Sequence, residues 1–129
     1  KARRQVAGLL NGAPEEVVFT SGGTEANNWA IIGSARALRE HGRHIITSNV
    51  EHPAVLNVCR FLETEGWQVT YIPVDGQGLV NVATIEAALR PDTILITIMH
   101  ANNETGTIFQ VNLHLMPQER CFRGGKPRF

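Results

Sequence analysis

Strand-like and helix-like segments alternate along this chain, and the alternation restricts the possible fold more than any other feature of the sequence. Apolar, β-branched runs typical of buried strands occur at residues 17–20, 44–48, 68–74 and 93–99. Helical patterns separate them at residues 25–40, 54–65 and 81–89. Because strands joined through helices pair in parallel, the sequence predicts an α/β fold, part of a mostly parallel sheet with helices on both faces.

Apolar residues at helical spacing predict which helix faces are buried. In the helix over residues 25–40 the predicted core face is Trp29, Ile32, Ala35 and Leu38. In the helix over residues 54–65 it is Val55, Leu56, Cys59 and Leu62. Asn11-Gly12 is a C-cap signal that ends a first helix, and Asn81 is a candidate N-cap for the helix that runs to Leu89.

A glycine-rich turn, Thr20-Ser21-Gly22-Gly23-Thr24, lies between the first strand-like run and the first long helix. Unpaired backbone N–H groups and the positive end of the helix dipole make such a turn an anion site. Gly22 and Gly23 have no Cβ, so the backbone can adopt positive φ and approach a phosphate closely. Ser21 and Thr24 add hydroxyl donors. The turn therefore predicts phosphate binding, although a turn without a ligand uses the same residue types.

The turn matches neither of the common nucleotide motifs. The lysines of the chain are Lys1 and Lys126, so no lysine lies where a P-loop requires one. Gly22-Gly23 also does not fit the G-x-G-x-x-G fingerprint of dinucleotide sites.

Three polar clusters follow predicted strands directly: Ser21–Asn28, Asn49–His52 and His100–Glu104. Because the carboxyl ends of parallel strands meet at one edge of a sheet, and ligands bind there, we expect the clusters to lie along one rim.

Length, net charge and cysteine count exclude several classes of function. The 129 residues fit one domain or part of one, and a formal net charge of zero argues against a nucleic-acid partner. No apolar run is long enough to span a membrane. Two cysteines give neither a disulfide framework nor a metal pair, so we expect no metal site and a reducing, cytoplasmic location. The chain starts without Met, within a helical pattern, which suggests a fragment.

Three motifs in order resemble the cysteine desulfurases and selenocysteine lyases, pyridoxal-phosphate enzymes of the class-V aminotransferase group. They are FTSGGTEANN at Phe19–Asn28, EHPAV at Glu51–Val55 and MHANNETG at Met99–Gly106. The resemblance covers about residues 1–108. It implies that this part belongs to the large domain of fold-type I pyridoxal-phosphate enzymes.

The resemblance also implies roles for individual residues. Gly23 and Thr24 would hold the phosphate of pyridoxal 5'-phosphate, and Asn103 would donate to the ring hydroxyl oxygen of the cofactor. His52 would stack on the pyridine ring and act as a catalytic group that handles protons near the substrate. The residues that flank Asn103 would shape the loop.

For the whole enzyme the family implies conversion of cysteine to alanine, with the sulfur passed to an enzyme cysteine and then to an acceptor protein for iron–sulfur clusters. It also implies a homodimer. Cys59 lies on a helix face and is expected in the core, and Cys121 has no family motif around it. Lys126 does not match the Schiff-base lysine segment, so this chain alone is expected to be inactive.

The resemblance stops near residue 108, where the helix–strand rhythm also stops. From Phe109 onward the charge turns basic, with Arg120, Arg123, Lys126 and Arg128 against Glu119. We therefore divide the chain into residues 1–108, a partial cofactor-binding domain, and 109–129, a basic tail foreign to the fold, expected to pack poorly. A frameshift, a truncation and a genuine arm remain alternatives for the tail. A selenocysteine lyase, another class-V relative and a non-catalytic phosphate-binding α/β module remain alternatives for the function.

Overall fold

A computed structural model describes residues 1–109 of the chain. Helices and parallel strands alternate after an N-terminal helix and a single 3-10 turn. The elements are α1 (Ala2–Leu10), the 3-10 turn (Pro14–Glu16), α2 (Gly23–Ala37), β1 (His44–Ser48), α3 (Pro53–Thr64), β2 (Gln68–Ile72), α4 (Val82–Ala88) and β3 (Thr93–Thr97). Asn11 ends α1 in the left-handed conformation, and the Asn81 side chain accepts from Ala83 N–H, so both predicted caps are confirmed.

The three strands form one parallel sheet in the order β2-β1-β3. The central strand β1 is buried along its whole length. Ile45 pairs with Val69 on one side and with Leu95 on the other, which fixes the register of the sheet. The predicted α/β class with a parallel sheet is confirmed.

Helices cover both faces of this sheet. On one face α2 and α3 pack over β1, and the buried residues are Ile31, Ala35, Ile45, Val55, Val58, Cys59, Leu62 and Trp67. On the other face α4 contributes Ile85, which packs with Ile46 and Ile72. Alternate residues of β1 therefore enter opposite cores, as the period of a strand requires.

The predicted strand over residues 17–20 is wrong for the described part of the chain. These residues are not paired to any strand there, and Val18 and Phe19 are 53% and 57% exposed. Strand character needs hydrogen bonds to a neighbour. The described sheet ends at β2 and β3, and neither runs beside this segment.

The predicted core face of α2 is also partly wrong. Ala35 is buried, but Trp29 is 61% exposed and the other buried residue is Ile31. Because α2 packs on α3, the stripe through Ile31 and Ala35 is buried, and Trp29 lies off that stripe. The predicted Ile32 is half-buried and packs against the same core, and Leu38 is half-buried. In α3 the predicted Val55, Cys59 and Leu62 are confirmed as buried.

Among residues 1–109, no helix has the length and apolar character needed to cross a membrane. Phe109 is buried, and its N–H donates to the carbonyl of His100 at 2.9 Å. The rest of the predicted basic tail, residues 110–129, lies outside the described residues.

A buried histidine at the amino end of the sheet predicts acid sensitivity. His44 is fully buried between Thr93 Oγ1, 2.7 Å from Nδ1, and Thr70 Oγ1, 2.8 Å from Nε2. Burial lowers the pKa of His44, Arg90 lowers it further, and Asp92 opposes the shift. Below about pH 6.5 His44 is protonated in the unfolded chain but stays neutral in the folded chain. The free energy of unfolding therefore decreases as the pH decreases.

We expect wild-type unfolding in urea to weaken from about pH 7.5 to about pH 5.5, and the loss to shrink in His44→Gln. The exposed His41→Gln variant is the control and should keep the wild-type pH dependence. An unchanged pH dependence in His44→Gln would contradict the assignment.

Candidate functional site

The first turn of α2 presents unpaired backbone donors. Within the described residues, the N–H groups of Gly23, Thr24 and Glu25 donate to no protein acceptor. Ala26 N–H is the first to be paired, with the carbonyl of Gly22. The side chain of Glu25 folds back and accepts from Ser21 N–H at 2.6 Å, which lowers the pKa of that carboxyl. Three free donors at a helix N-terminus form an anion site.

The glycines leave space above these donors. A Cβ placed on Gly22 or Gly23 would meet no protein atom within 4 Å. Gly22 has φ of 170°, which is extended backbone, so the turn does not use the positive φ that its glycines permit. Neither packing nor backbone conformation in the described residues demands glycine here. A ligand that approaches the turn closely would require glycine, because a side chain would occupy its space.

His52 ends the loop after β1 and caps α3. Its Nδ1 accepts from Ala54 N–H at 3.0 Å, and Pro53 occupies the first position of the helix. Proline suits that position because its missing N–H is one that the helix leaves unpaired. The cap holds the ring in one orientation and leaves Nε2 as the ring nitrogen free for other partners.

The α2 turn and His52 meet in one cavity of about 290 Å³ between α2 and α3. Its lining comes from the first two turns of α2, from His52 and from the first three turns of α3: Thr24, Asn28, His52, Pro53, Ala54, Asn57, Val58 and Phe61. The first two predicted polar clusters are thus brought together, although the first does not follow a paired strand.

Side-chain hydrogen bonds of Asn102 stabilise the loop of the third cluster, His100–Glu104. The Asn102 Oδ1 accepts from the N–H groups of Glu104 and Thr105, at 2.9 and 3.0 Å. Its Nδ2 donates to the carbonyl of Val50 at 3.2 Å, which joins this loop to the loop of His52. Asn103 is exposed at the turn and is not among the residues that line the cavity.

A buried carboxylate, Glu51, makes a second connection between these loops. Its Oε1 accepts from Ser48 Oγ at 2.6 Å and from Met99 N–H at 2.9 Å. Glu51 belongs to the EHPAV motif, but the motif alone does not indicate what its side chain does. A charged residue three positions after a strand with the pattern of a buried one is the signal that points to a buried acceptor.

Cys59 lies in the core, as predicted, with no exposed surface. Burial raises the pKa of its thiol to about 11, and Glu63 and Glu51 add to the shift. A thiol of this kind stays protonated and is not a nucleophile at neutral pH. Cys121 and Lys126 lie outside the described residues.

The family description "Aminotransferase class-V" matches residues 1–116 of the chain. The chain belongs to the class-V aminotransferase family. Class-V aminotransferases are pyridoxal-phosphate enzymes, so membership supports this cofactor class. The match extends past residue 108, where the sequence motifs end.

Curated relatives are similar over most of the chain. Cysteine desulfurase IscS of Shewanella woodyi is 55% identical over 111 residues, which are 86% of this chain and 28% of the relative. Cysteine desulfurase IscS of Pseudomonas savastanoi pv. phaseolicola is 60% identical over 107 residues, 83% of this chain and 26% of the relative. The chain therefore spans less than a third of the length of these relatives.

Several solved structures share the fold. A NifS-like protein superposes with a TM-score of 0.79 at 42% identity, covering 84% of this chain and 30% of that protein. DndA from Streptomyces lividans superposes with a TM-score of 0.79 at 43% identity, covering 85% and 31%. SspA, solved in complex with cysteine, superposes with a TM-score of 0.77 at 48% identity, covering 84% and 31%. The large-domain fold of fold-type I pyridoxal-phosphate enzymes is confirmed.

Proposed function

We propose that this chain is the part of a pyridoxal-phosphate-dependent cysteine desulfurase that holds the cofactor phosphate. The observation that carries the proposal is the shared cavity, in which Thr24 of the α2 turn and His52 line the same space. The similarity to proteins named cysteine desulfurase supplies the reaction.

The residues of the α2 turn fit a phosphate. Gly23 and Thr24 offer backbone N–H groups without protein acceptors, and the Thr24 hydroxyl adds a donor. The helix dipole adds a positive partial charge at the same point. A phosphate there would lie above Gly23, where the space for a side chain is open. This arrangement would fix one end of the cofactor by charge-assisted hydrogen bonds.

Pyridoxal phosphate, when bound, supplies an electron sink for negative charge on the substrate carbon. We assign His52 to the ring face and to proton exchange. Its Nδ1 is engaged by Ala54 N–H, so Nε2 is the atom that would give or take a proton. We assign Asn103 to the ring hydroxyl oxygen, as a donor carried by the loop that Asn102 folds.

For the whole protein we propose L-cysteine as substrate and L-alanine as product, with the sulfur passed to an enzyme cysteine and then to an acceptor protein for iron–sulfur clusters. The named desulfurase relatives and the cysteine complex of the SspA structure favour cysteine over selenocysteine. A homodimer is part of the same proposal. The cytoplasmic location stays a prediction from cysteine content.

The test is product formation by the whole protein that carries this segment, supplied with pyridoxal phosphate and L-cysteine. We expect alanine to form, and the turnover number of His52→Ala to fall by about 10²–10⁴-fold. The His41→Gln variant is the matched control and should keep wild-type turnover, because His41 is exposed and precedes β1, whereas His52 follows it. Turnover of selenocysteine but not cysteine would indicate a lyase. A cofactor-loaded protein that releases alanine from neither substrate would overturn the proposal.

A further inference from the structure

Glu51 is the one acidic side chain buried among residues 1–109, with 5% of its surface exposed. Removing a carboxylate from water is unfavourable unless donors replace the lost hydration. Glu51 has such donors, because the Ser48 hydroxyl and the Met99 N–H both reach its Oε1. An apolar side chain could fill the same space without needing donors. The carboxylate differs from it in accepting the hydrogen bonds from Ser48 and Met99.

The two donors lie at the carboxyl ends of adjacent strands. Ser48 is the last residue of β1, and Met99 comes after the end of β3 at Thr97. Backbone pairing of these strands stops at Thr47 and Thr97. Glu51 therefore continues the connection past the point where the backbone ladder ends. We call this connection, Ser48–Glu51–Met99, the carboxylate clamp.

The clamp joins the two loops that carry proposed cofactor contacts. Glu51 immediately precedes His52, and Met99 begins the segment that leads to Asn103. The other side-chain connection between these loops is the bond from Asn102 Nδ2 to the carbonyl of Val50, at 3.2 Å. The position of one loop against the other depends on these few bonds, because the strands no longer pair there.

Resting on the proposed function, we propose that Glu51 is a positioning residue for the cofactor site. Its carboxylate holds the loop of His52 at a fixed distance from the loop of Asn103, and so sets the width between the ring face and the ring hydroxyl contact. Glu51 itself touches neither cofactor nor substrate in this assignment. It acts through the clamp.

The test compares three variants in the whole protein. Glu51→Ala removes the acceptor, whereas Glu51→Gln keeps an amide oxygen that can accept the same two bonds. Thr70→Val is the matched control, because it breaks a part-buried hydrogen bond to His44, which lies at the opposite end of the same sheet. The readouts are the dissociation constant of pyridoxal phosphate and amide exchange of residues 99–107 without cofactor.

We expect Glu51→Ala to raise the dissociation constant about tenfold and to speed exchange in residues 99–107. Glu51→Gln should restore the dissociation constant to within about threefold of wild type. Thr70→Val should lower the melting temperature and leave the dissociation constant within about twofold. The positioning role would be overturned if the dissociation constant rose equally in Thr70→Val, or if it stayed unchanged in Glu51→Ala.

The two proposals fail in different ways. A wild-type protein that binds no pyridoxal phosphate overturns the proposed function and, with it, the positioning of a cofactor. Faster exchange in Glu51→Ala alone would still support the clamp between the loops. A wild type that binds the cofactor, with the dissociation constant unchanged in Glu51→Ala, overturns only the role of Glu51.

Discussion

Replacing Gly23 with valine is expected to weaken binding of pyridoxal phosphate to the whole protein by about tenfold or more, while the fold survives. A Cβ at Gly23 meets no protein atom within 4 Å, so we expect little disturbance of packing there. It would occupy the space through which a phosphate reaches the free N–H groups of α2. Thr24→Ala should cost roughly tenfold to a hundredfold in affinity, because a donor to a charged oxygen is lost. Fluorescence titration with the cofactor measures both.

Gly33→Val is the matched control for this experiment. Gly33 lies on the same helix, and a Cβ there also meets no protein atom within 4 Å. Both variants replace glycine with valine, which has the higher helix propensity, so neither should melt appreciably below wild type. Only Gly23→Val should lose cofactor affinity. Equal affinity in Gly23→Val, Thr24→Ala and wild type would remove the α2 turn from the cofactor site.

Gly42→Ala is expected to destabilise the fold by about 2–4 kcal/mol. A Cβ at Gly42 would lie 2.2 Å from the carbonyl oxygen of Asp92 and 2.8 Å from its Cα. That carbonyl accepts from His44 N–H at 3.0 Å, at the start of β1. Both sides of the clash are backbone, so a rotamer change cannot relieve it. The chain must move β1 away from the segment that leads into β3. Urea unfolding followed by circular dichroism measures the loss.

Gly33→Ala gives the opposite expectation with the same chemical change. In the exposed interior of α2, alanine should stabilise by about 0.5–1 kcal/mol relative to glycine. A stability of Gly42→Ala equal to that of wild type would show that β1 and the turn before β3 tolerate separation, which would contradict the close approach.

Much of the fold could be predicted from the sequence because its signals are local. The apolar runs of β1 and β3, the helical spacing in α3 and the Asn81 cap depend on residues a few positions apart. The exposure of Trp29 could not be predicted, because it depends on which stripe of α2 meets α3. The unpaired state of residues 17–20 depends likewise on which strands lie beside them.

The same division applies to the candidate site. The sequence was enough to name the motif residues Gly23, Thr24, His52 and Asn103. Turn preferences and family motifs depend on residues that are adjacent along the chain. The roles of these four residues stay predictions. The role of Glu51 could not be named, since its partner Met99 is 48 residues away along the chain.

The sequence by itself determined the order of elements from α2 to β3, the parallel class of the sheet and the polar segments that follow β1 and β3. The tertiary structure alone decided that Thr24 and His52 share a cavity and that the Glu51 carboxylate joins two loops. The physical reason is range. Periodicity, capping and turn preference act over a few residues, whereas a cavity or a buried carboxylate exists only after distant segments have packed and excluded water.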